Sequence, residues 1–290
     1  AYGKAIDQRW KGPSIAAKFG AVATICRSMT TDINDFPHTG SMTYFDSIPQ
    51  KIPACAISTW GAEYLSDLLR EDPQVKFFLK MSCERLPDEK SFNVIGELKG
   101  SEHPEEIIVV GGHLDSWDTG DGAHDDGAGV VQAMEVIHIM KSLGIKPKRT
   151  IRAVAFMNEE NGVRGGKKYA ELAKQNNEKH ILAIESDRGG FAPRGFTFTG
   201  PAEKREQLKK WKPLLIPYGL YDFEQEGGGV DISPLEKAGV PVMELYPDPQ
   251  RYFDYHHAST DKFDGINKRE LEMGAGSLAA LIYLVSEHGF

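Results

Sequence analysis

Cysteine is scarce in this sequence. The 290 residues hold three, Cys26, Cys55 and Cys83, which cannot all pair within the chain and whose wide separations match no close-set metal pattern. They read as small buried hydrophobes with at most one disulfide, and they leave the redox compartment open. Long apolar runs are missing as well. The best, Leu278 to Val285, falls far short of the ~20 residues that a membrane helix needs and reads as part of a buried core helix. Positive charge is in deficit: 34 Lys and Arg stand against 42 Asp and Glu, a net charge of −8. That argues against a nucleic-acid duplex as partner, because phosphate contacts need clustered Lys and Arg. There is no Asn-x-Ser/Thr acceptor, no internal repeat and no low-complexity tract. The start, Ala1-Tyr2-Gly3, shows no charged region followed by an apolar one, as an intact secretory signal would. What remains is ordinary globular composition, 40% hydrophobic and 26% charged, with a length that suits one to two domains.

Residues 1 to 86 differ in texture from the rest. Gly12-Pro13-Ser14 precedes a short helical stretch, Ile15 to Phe19, and Ala21 to Arg27 reads as a strand. Pro37, Pro49 and Pro53 punctuate the stretch beyond it, and Val75 to Cys83 is expected as another strand. The expectation is a small β-rich module with little helix, ending at Leu86-Pro87-Asp88. From 87 to 290 the pattern turns to alternating strands and helices. Ile107-Ile108-Val109-Val110 is a β-branched run of the kind a sheet buries on both faces. Val130, Ala133, Met134, Ile137 and Met140 then recur at helical spacing. Thr150 to Phe156, Ile181 to Ile184 and Val240 to Leu245 are further strands, with helices at Lys167 to Gln175 and Lys268 to His288. This alternation predicts an α/β three-layer sandwich with a mixed, mostly parallel sheet.

The polar residues of interest lie just past the C-terminal ends of those strands, where open α/β sheets place their sites. They are His113-Leu114-Asp115, His124-Asp125-Asp126-Gly127, Asn158-Glu159-Glu160, Glu185-Ser186-Asp187-Arg188 and Tyr255-His256-His257-Ala258-Ser259-Thr260-Asp261. Singly, each has an ordinary structural explanation: a loop hydrogen bond, a helix N-cap, a solvated pair of acids, surface aromatics. Together, two imidazoles and several carboxylates at strand ends make a mixed N/O ligand set. That set suits Zn²⁺, with Co²⁺ or Mn²⁺ as substitutes, and the lack of thiolates argues against a structural zinc. A carboxylate between two ions bridges them at roughly 3.5–4 Å, and such a pair clamps the attacking and leaving oxygens of a hydrolysis. One glutamate of a Glu-Glu pair can bind metal while its neighbour acts as base, provided the loop turns sharply. Gly162 and Gly165-Gly166 permit that.

These segments resemble the M28 family of co-catalytic di-zinc peptidases, and within it the branch of the plasma glutamate carboxypeptidases and their bacterial relatives. Gly12-Pro13-Ser14, Pro37-His38-Thr39-Gly40, Lys51-Ile52-Pro53, Pro147-Lys148-Arg149-Thr150 and Gly239-Val240-Pro241 carry the likeness over nearly the whole chain. The resemblance implies that His113 and Asp187 hold one zinc, Glu160 and His257 a second, and that Asp125 bridges them. It implies that Asp115 orients His113 and that Glu159 is the general base. It also makes Asp125-Asp126 a candidate cis peptide. His256, where some relatives have Tyr, is a candidate donor to the oxyanion. Asp231, in Gly227-Gly228-Gly229-Val230-Asp231, matches a loop near the substrate, either as a contact or as loop scaffold. His124 is expected as a surface imidazole. Residues 1–86 resemble the later part of a protease-associated insertion, so the chain is expected to begin partway through that module, and 87–290 to be the catalytic domain.

The implied activity is hydrolysis of short unblocked peptides, dipeptides in particular, by a metallo-exopeptidase, with a homodimer and a secreted, periplasmic or lysosomal location. A free α-amine suits the acidic groups, whereas an α-carboxylate needs Arg or Lys donors. Arg188 and Arg251 are the candidates for the latter, and amino-terminal polarity is favoured. Two other readings stay open: a glutaminyl-cyclase-like acyl transferase with one zinc, and a metal-free receptor-like binding module.

Overall fold

The computed structural model describes residues 2–290, which form two compact units. The first holds residues up to Lys90 together with 117–120 and 253–260; the second holds 91–116, 121–252 and 261–290.

In the first unit a short helix α1 (Gly12–Ala17), with Pro13 in its first turn, leads to β1 (Thr24–Arg27), which pairs in parallel with β2 (Ala54–Ile57). Helix α2 (Thr59–Glu71) comes next, started by Ser58, whose hydroxyl accepts from the Gly61 amide at 2.9 Å. A small cluster of Ala17, Ile48 and Ile52 with Phe45 is its core. The expected β-rich module is therefore corrected: α2 is longer than both strands together, and Val75 to Cys83 forms no strand. Those residues alternate well enough, but Phe78 is 86% exposed, and an alternating segment without a paired neighbour gains no ladder hydrogen bonds. The cysteines are free and none is fully buried; Cys83 is exposed.

The second unit is built on a sheet of β3 (Val94–Leu98), β4 (His103–His113), β5 (Arg149–Phe156), β6 (Lys179–Glu185), β7 (Pro193–Thr199) and β8 (Val242–Pro247), in the order β3-β5-β4-β6-β8-β7. The central four run parallel and the two edge strands antiparallel, as the alternation predicts. Its longer helices are α3 (Ala128–Ser142), α4 (Arg164–Gln175), α5 (Ala202–Leu215) and α6 (Lys268–His288). On β4, Ile108 and Val110 pack with Val136 and Met140 of α3 and Leu278, Leu281 and Ile282 of α6. Ile107 and Val109 pack on the other face with Tyr169 of α4 and Leu235. Each such side chain stabilises by about 1.5–3 kcal/mol when fully buried, so this strand runs through the centre of three layers.

The parallel strands place their C-terminal ends, at His113, Phe156, Glu185 and Pro247, along one edge of the sheet. From β4 the chain passes through α3 to β5 on one side, then through α4 to β6 on the other. The order reverses at β4, and the end of a strand at such a reversal is where α/β sheets hold ligands. Among the described residues no helix is long and apolar enough to cross a membrane.

Candidate metal centre

His113 is the last residue of β4 and is buried. Its Nδ1 lies 2.7 Å from the Asp115 carbonyl oxygen, which can only accept, so Nδ1 carries a proton and Nε2 is the ring atom that faces inward. Nε2 stands 3.2 Å from Asp125 Oδ1 and 3.4 Å from Asp187 Oδ1. One donor atom from each of the three lies within 4.8 Å of the other two. The orienting group of His113 is thus the main-chain oxygen of Asp115; the side-chain oxygen is 3.8 Å away. The Asp115 carboxylate is used elsewhere. Oδ1 accepts from the Glu159 amide at 3.0 Å and Oδ2 from the Glu160 amide at 3.2 Å, which ties the turn after β5 to the loop after β4. Asn158, just before it, adopts φ 69, the sharp turn that a Glu-Glu pair with two roles requires.

Asp125 and Asp126 are joined by a cis peptide. Asp126 points away from the cluster: Oδ2 accepts from the His113 amide at 2.9 Å and Oδ1 from the Gly129 amide at 3.0 Å. Gly129 is required there, since a Cβ would lie 1.8 Å from the Ser186 carbonyl oxygen. Asp261 holds the same turn from the other side, with Oδ1 accepting from the His124 amide at 2.7 Å and Oδ2 from that of Asp125 at 3.0 Å. His124 corrects its expectation as a surface residue. It is 1% exposed, stacked on Phe191 at 4.3 Å, and its Nδ1 accepts from the Gly190 amide at 3.2 Å. Burial pushes its imidazole down to about 4.

Buried acids crowd this edge. Burial and the Asp187 charge push Glu159 up to about 9. Burial pushes Asp231 up to about 7, the charges of Asp187 and Asp115 adding to it against the pull of His113. Asp126 and Glu185 are raised well above the carboxylate range, again by burial first. Glu185 accepts from the Ile232 amide at 3.1 Å and so fastens the Asp231 loop to β6. Neither oxygen of Asp231 has a hydrogen-bond donor at ordinary geometry, although the Gly166 amide is near enough to lower its pKa somewhat. His113 is held well above its usual value: burial alone would lower it, and Asp187 and Asp125 outweigh that. So much like charge away from water calls for a cation, and an imidazole with two carboxylates at this spacing is a donor set that zinc accepts.

Two other residues expected near the substrate have partners of their own. Arg188 pairs with Glu244 at 2.5 Å and lies over the Tyr246 ring. Arg251 pairs with Glu270 at 2.6 Å and lies over Phe191. Both candidate carboxylate donors thus have acidic partners of their own. His256 and His257 belong to the first unit, where their rings stack at 3.6 Å. Sequence reasoning assigns no role to two residues. Asp261 lies only four positions beyond His257, but its role is to accept backbone amides, which no side-chain pattern announces. Tyr252 is half-buried, and burial together with the charges of Asp125 and Asp187 pushes its hydroxyl well above the usual range. A lone tyrosine before a loop gives no signal of that.

Comparison with known proteins identifies a family. The profile described as Peptidase family M28 matches residues 93–282. Carboxypeptidase Q of Mus musculus is 38% identical over 286 residues, 99% of this chain and 61% of its own length. Carboxypeptidase Q of Homo sapiens is 37% identical, with 99% and 60% covered. The chain therefore spans about three fifths of the length of these relatives. Among solved structures, a peptidase M28 precursor from Shewanella amazonensis superposes with a TM-score of 0.90 at 36% identity, over 98% of this chain and 64% of that one. A zinc aminopeptidase from Bacillus subtilis gives 0.63 at 20% identity, over 93% and 65%, which is a likeness of fold.

Proposed function

Since the chain belongs to peptidase family M28, we propose that it is a zinc-dependent exopeptidase that hydrolyses short unblocked peptides, dipeptides among them. The observation that carries this is the convergence of His113 Nε2, Asp125 and Asp187 beside a Glu159-Glu160 turn held by Asp115. His113 and Asp187 would hold one zinc, with Asp125 shared between two. The sequence resemblance assigns Glu160 and His257 to the second.

Zinc bound here supplies polarisation of the scissile carbonyl and a lowered pKa for water. Everything else falls to the chain. Glu159 takes the proton of the attacking water and delivers it to the leaving amine; this is general base and then general acid work. Its backbone is fixed by Asp115, so the carboxylate is aimed without spending rotational freedom during the reaction. In the acidic cluster alone it stands at about 9, too basic to exchange protons readily near neutrality. Divalent charge beside Asp187, the largest electrostatic contributor to that rise, would bring it down towards the working range.

The test is hydrolysis of a free dipeptide by the purified chain with added Zn²⁺, before and after chelation, alongside the same dipeptide blocked at either terminus. Chelator-sensitive cleavage of the free dipeptide is expected. Cyclisation of an amino-terminal glutamine without dipeptide cleavage would favour acyl transfer, and no turnover with metal bound would refute the activity for this chain.

A further inference from the structure

His257 adopts φ 59, left-handed backbone that disfavours an L side chain by roughly 1–2 kcal/mol. Strain of this kind persists only where surrounding contacts impose it, and two of those contacts come from one residue. The Thr39 amide donates to the His257 carbonyl at 3.0 Å, and His257 Nδ1 lies 3.1 Å from the Thr39 carbonyl oxygen. That oxygen only accepts, so the bond places the proton on Nδ1 and leaves the Nε2 lone pair as the ring's ligand atom.

The same carbonyl accepts a second bond, from Arg9 Nη1 at 3.0 Å. Arg9 lies on a helical turn, Asp7–Trp10, and its guanidinium lies against Gly40, where a Cβ would stand 2.2 Å from Arg9 Cζ. Gly40, at φ 153, gives the planar group its seat. Arg9 and His257 thus occupy the two lone pairs of one carbonyl, 30 residues from the first and 218 from the second in sequence.

We propose that Arg9 is a positioning residue for His257: its guanidinium fixes the Thr39 carbonyl, and that carbonyl fixes the tautomer and orientation in which His257 offers Nε2 to a metal. This rests on the reading of His257 as a zinc ligand. The role is geometric. A cation near a metal ligand repels a dication, so through charge alone loss of Arg9 would tighten zinc, whereas through orientation its loss loosens zinc. Lysine keeps the charge and lacks the planar fork, so Arg9→Lys separates the two.

The experiment uses the full chain loaded with Zn²⁺, titrated with a graded chelator while retained zinc is counted by atomic emission. The tautomer of the His257 ring is read from its ¹⁵N shifts in the zinc-free chain. Arg9→Lys should weaken one zinc by roughly tenfold, the low end for partners of metal-bound histidines, and leave the other unchanged. Gly40→Ala, which displaces the guanidinium, should do the same and serves if Arg9→Lys does not fold. Neither change should add to the loss in His257→Ala. Unchanged retention and an unchanged tautomer in both variants, or equal weakening on top of His257→Ala, would overturn the proposal. If His257→Ala keeps both zincs while Arg9→Lys still shifts the tautomer, the ligand reading fails and the positioning stands.

Discussion

The Asp115→Asn substitution separates two functions that sit on one residue. The main-chain oxygen of Asp115 orients His113 at 2.7 Å, and a change of side chain leaves it in place. The carboxylate takes the Glu159 and Glu160 amides at 3.0 and 3.2 Å. Hydrogen bonds to a charged acceptor contribute about 1.5–3 kcal/mol each. Asparagine keeps one neutral acceptor, worth about 1 kcal/mol, and turns an NH₂ towards the second N–H. The net loss to the Glu159-Glu160 turn is then about 2–5 kcal/mol, and at 1.4 kcal/mol per factor of ten kcat/KM for a dipeptide should fall by roughly 30- to 4000-fold. The zinc held by His113 should remain, because its orienting bond is untouched. Steady-state kinetics with zinc counted in the same samples checks both. Loss of the His113 zinc with the kinetics of the remaining centre intact would refute this, since it would mean that the carboxylate, 3.8 Å from Nδ1, is what orients the imidazole.

Two further predictions concern stability. Asp231 is shifted from 3.8 up to about 7, so the folded state favours its protonated form; the destabilisation is absent below 3.8, grows through that window and is complete above about 7, at most about 4 kcal/mol at 1.36 kcal/mol per unit. Asp231→Asn should therefore raise the Tm of the zinc-free chain at pH 8 and not at pH 4, and equal shifts at both would disprove it. His180 Nε2 lies 2.8 Å from the Tyr169 hydroxyl, and burial pushes the imidazole down from 6.5 to about 4. A depressed histidine contributes stability above 6.5 that is lost as pH falls towards 4, on the order of 3 kcal/mol. Chemical denaturation at pH 7 and 4.5 should show a smaller acid loss for His180→Gln than for the parent chain, and identical losses would rule the contribution out.

How much of this was legible in the sequence depends on how far each residue's role lies from its own segment. Although Met134, read on the same face, is 62% exposed, the Ile107–Val110 run, the spacing of Ala133, Ile137 and Met140, and the closing helix at Lys268–His288 all declare themselves within a few residues, and they define the sheet centre. So do His113, Asp125 and Asp187, because strand ends are where such residues have chemical use. Helix α5, Ala202–Leu215, carries Pro213 inside it, and its charged surface hides a narrow buried stripe of Leu208, Trp211 and Leu215. Strand β7 begins with Pro193 and contains Gly195, both unfavourable in a strand interior; pairing with β8 on one side and contact with Asp222 on the other compensate. Helix α2 has Trp60 and Tyr64 on its exposed side, so its apolar pattern does not mark the buried face.

The least legible parts are the bonds that connect distant segments through main-chain atoms. Asp115 was recognisable as the partner of His113, but the atom responsible is a carbonyl oxygen, which every residue possesses. The carboxylate that distinguishes Asp115 serves Glu159 and Glu160, 44 and 45 residues away. Asp261 and Thr39 obey the same rule, one accepting amides from the Asp125 turn and the other fixing an imidazole with its backbone. A motif names the side chains that meet a substrate or metal. The groups that hold those side chains in place are main-chain atoms and the acids that bind them, and their identity is set by where the chain returns in space.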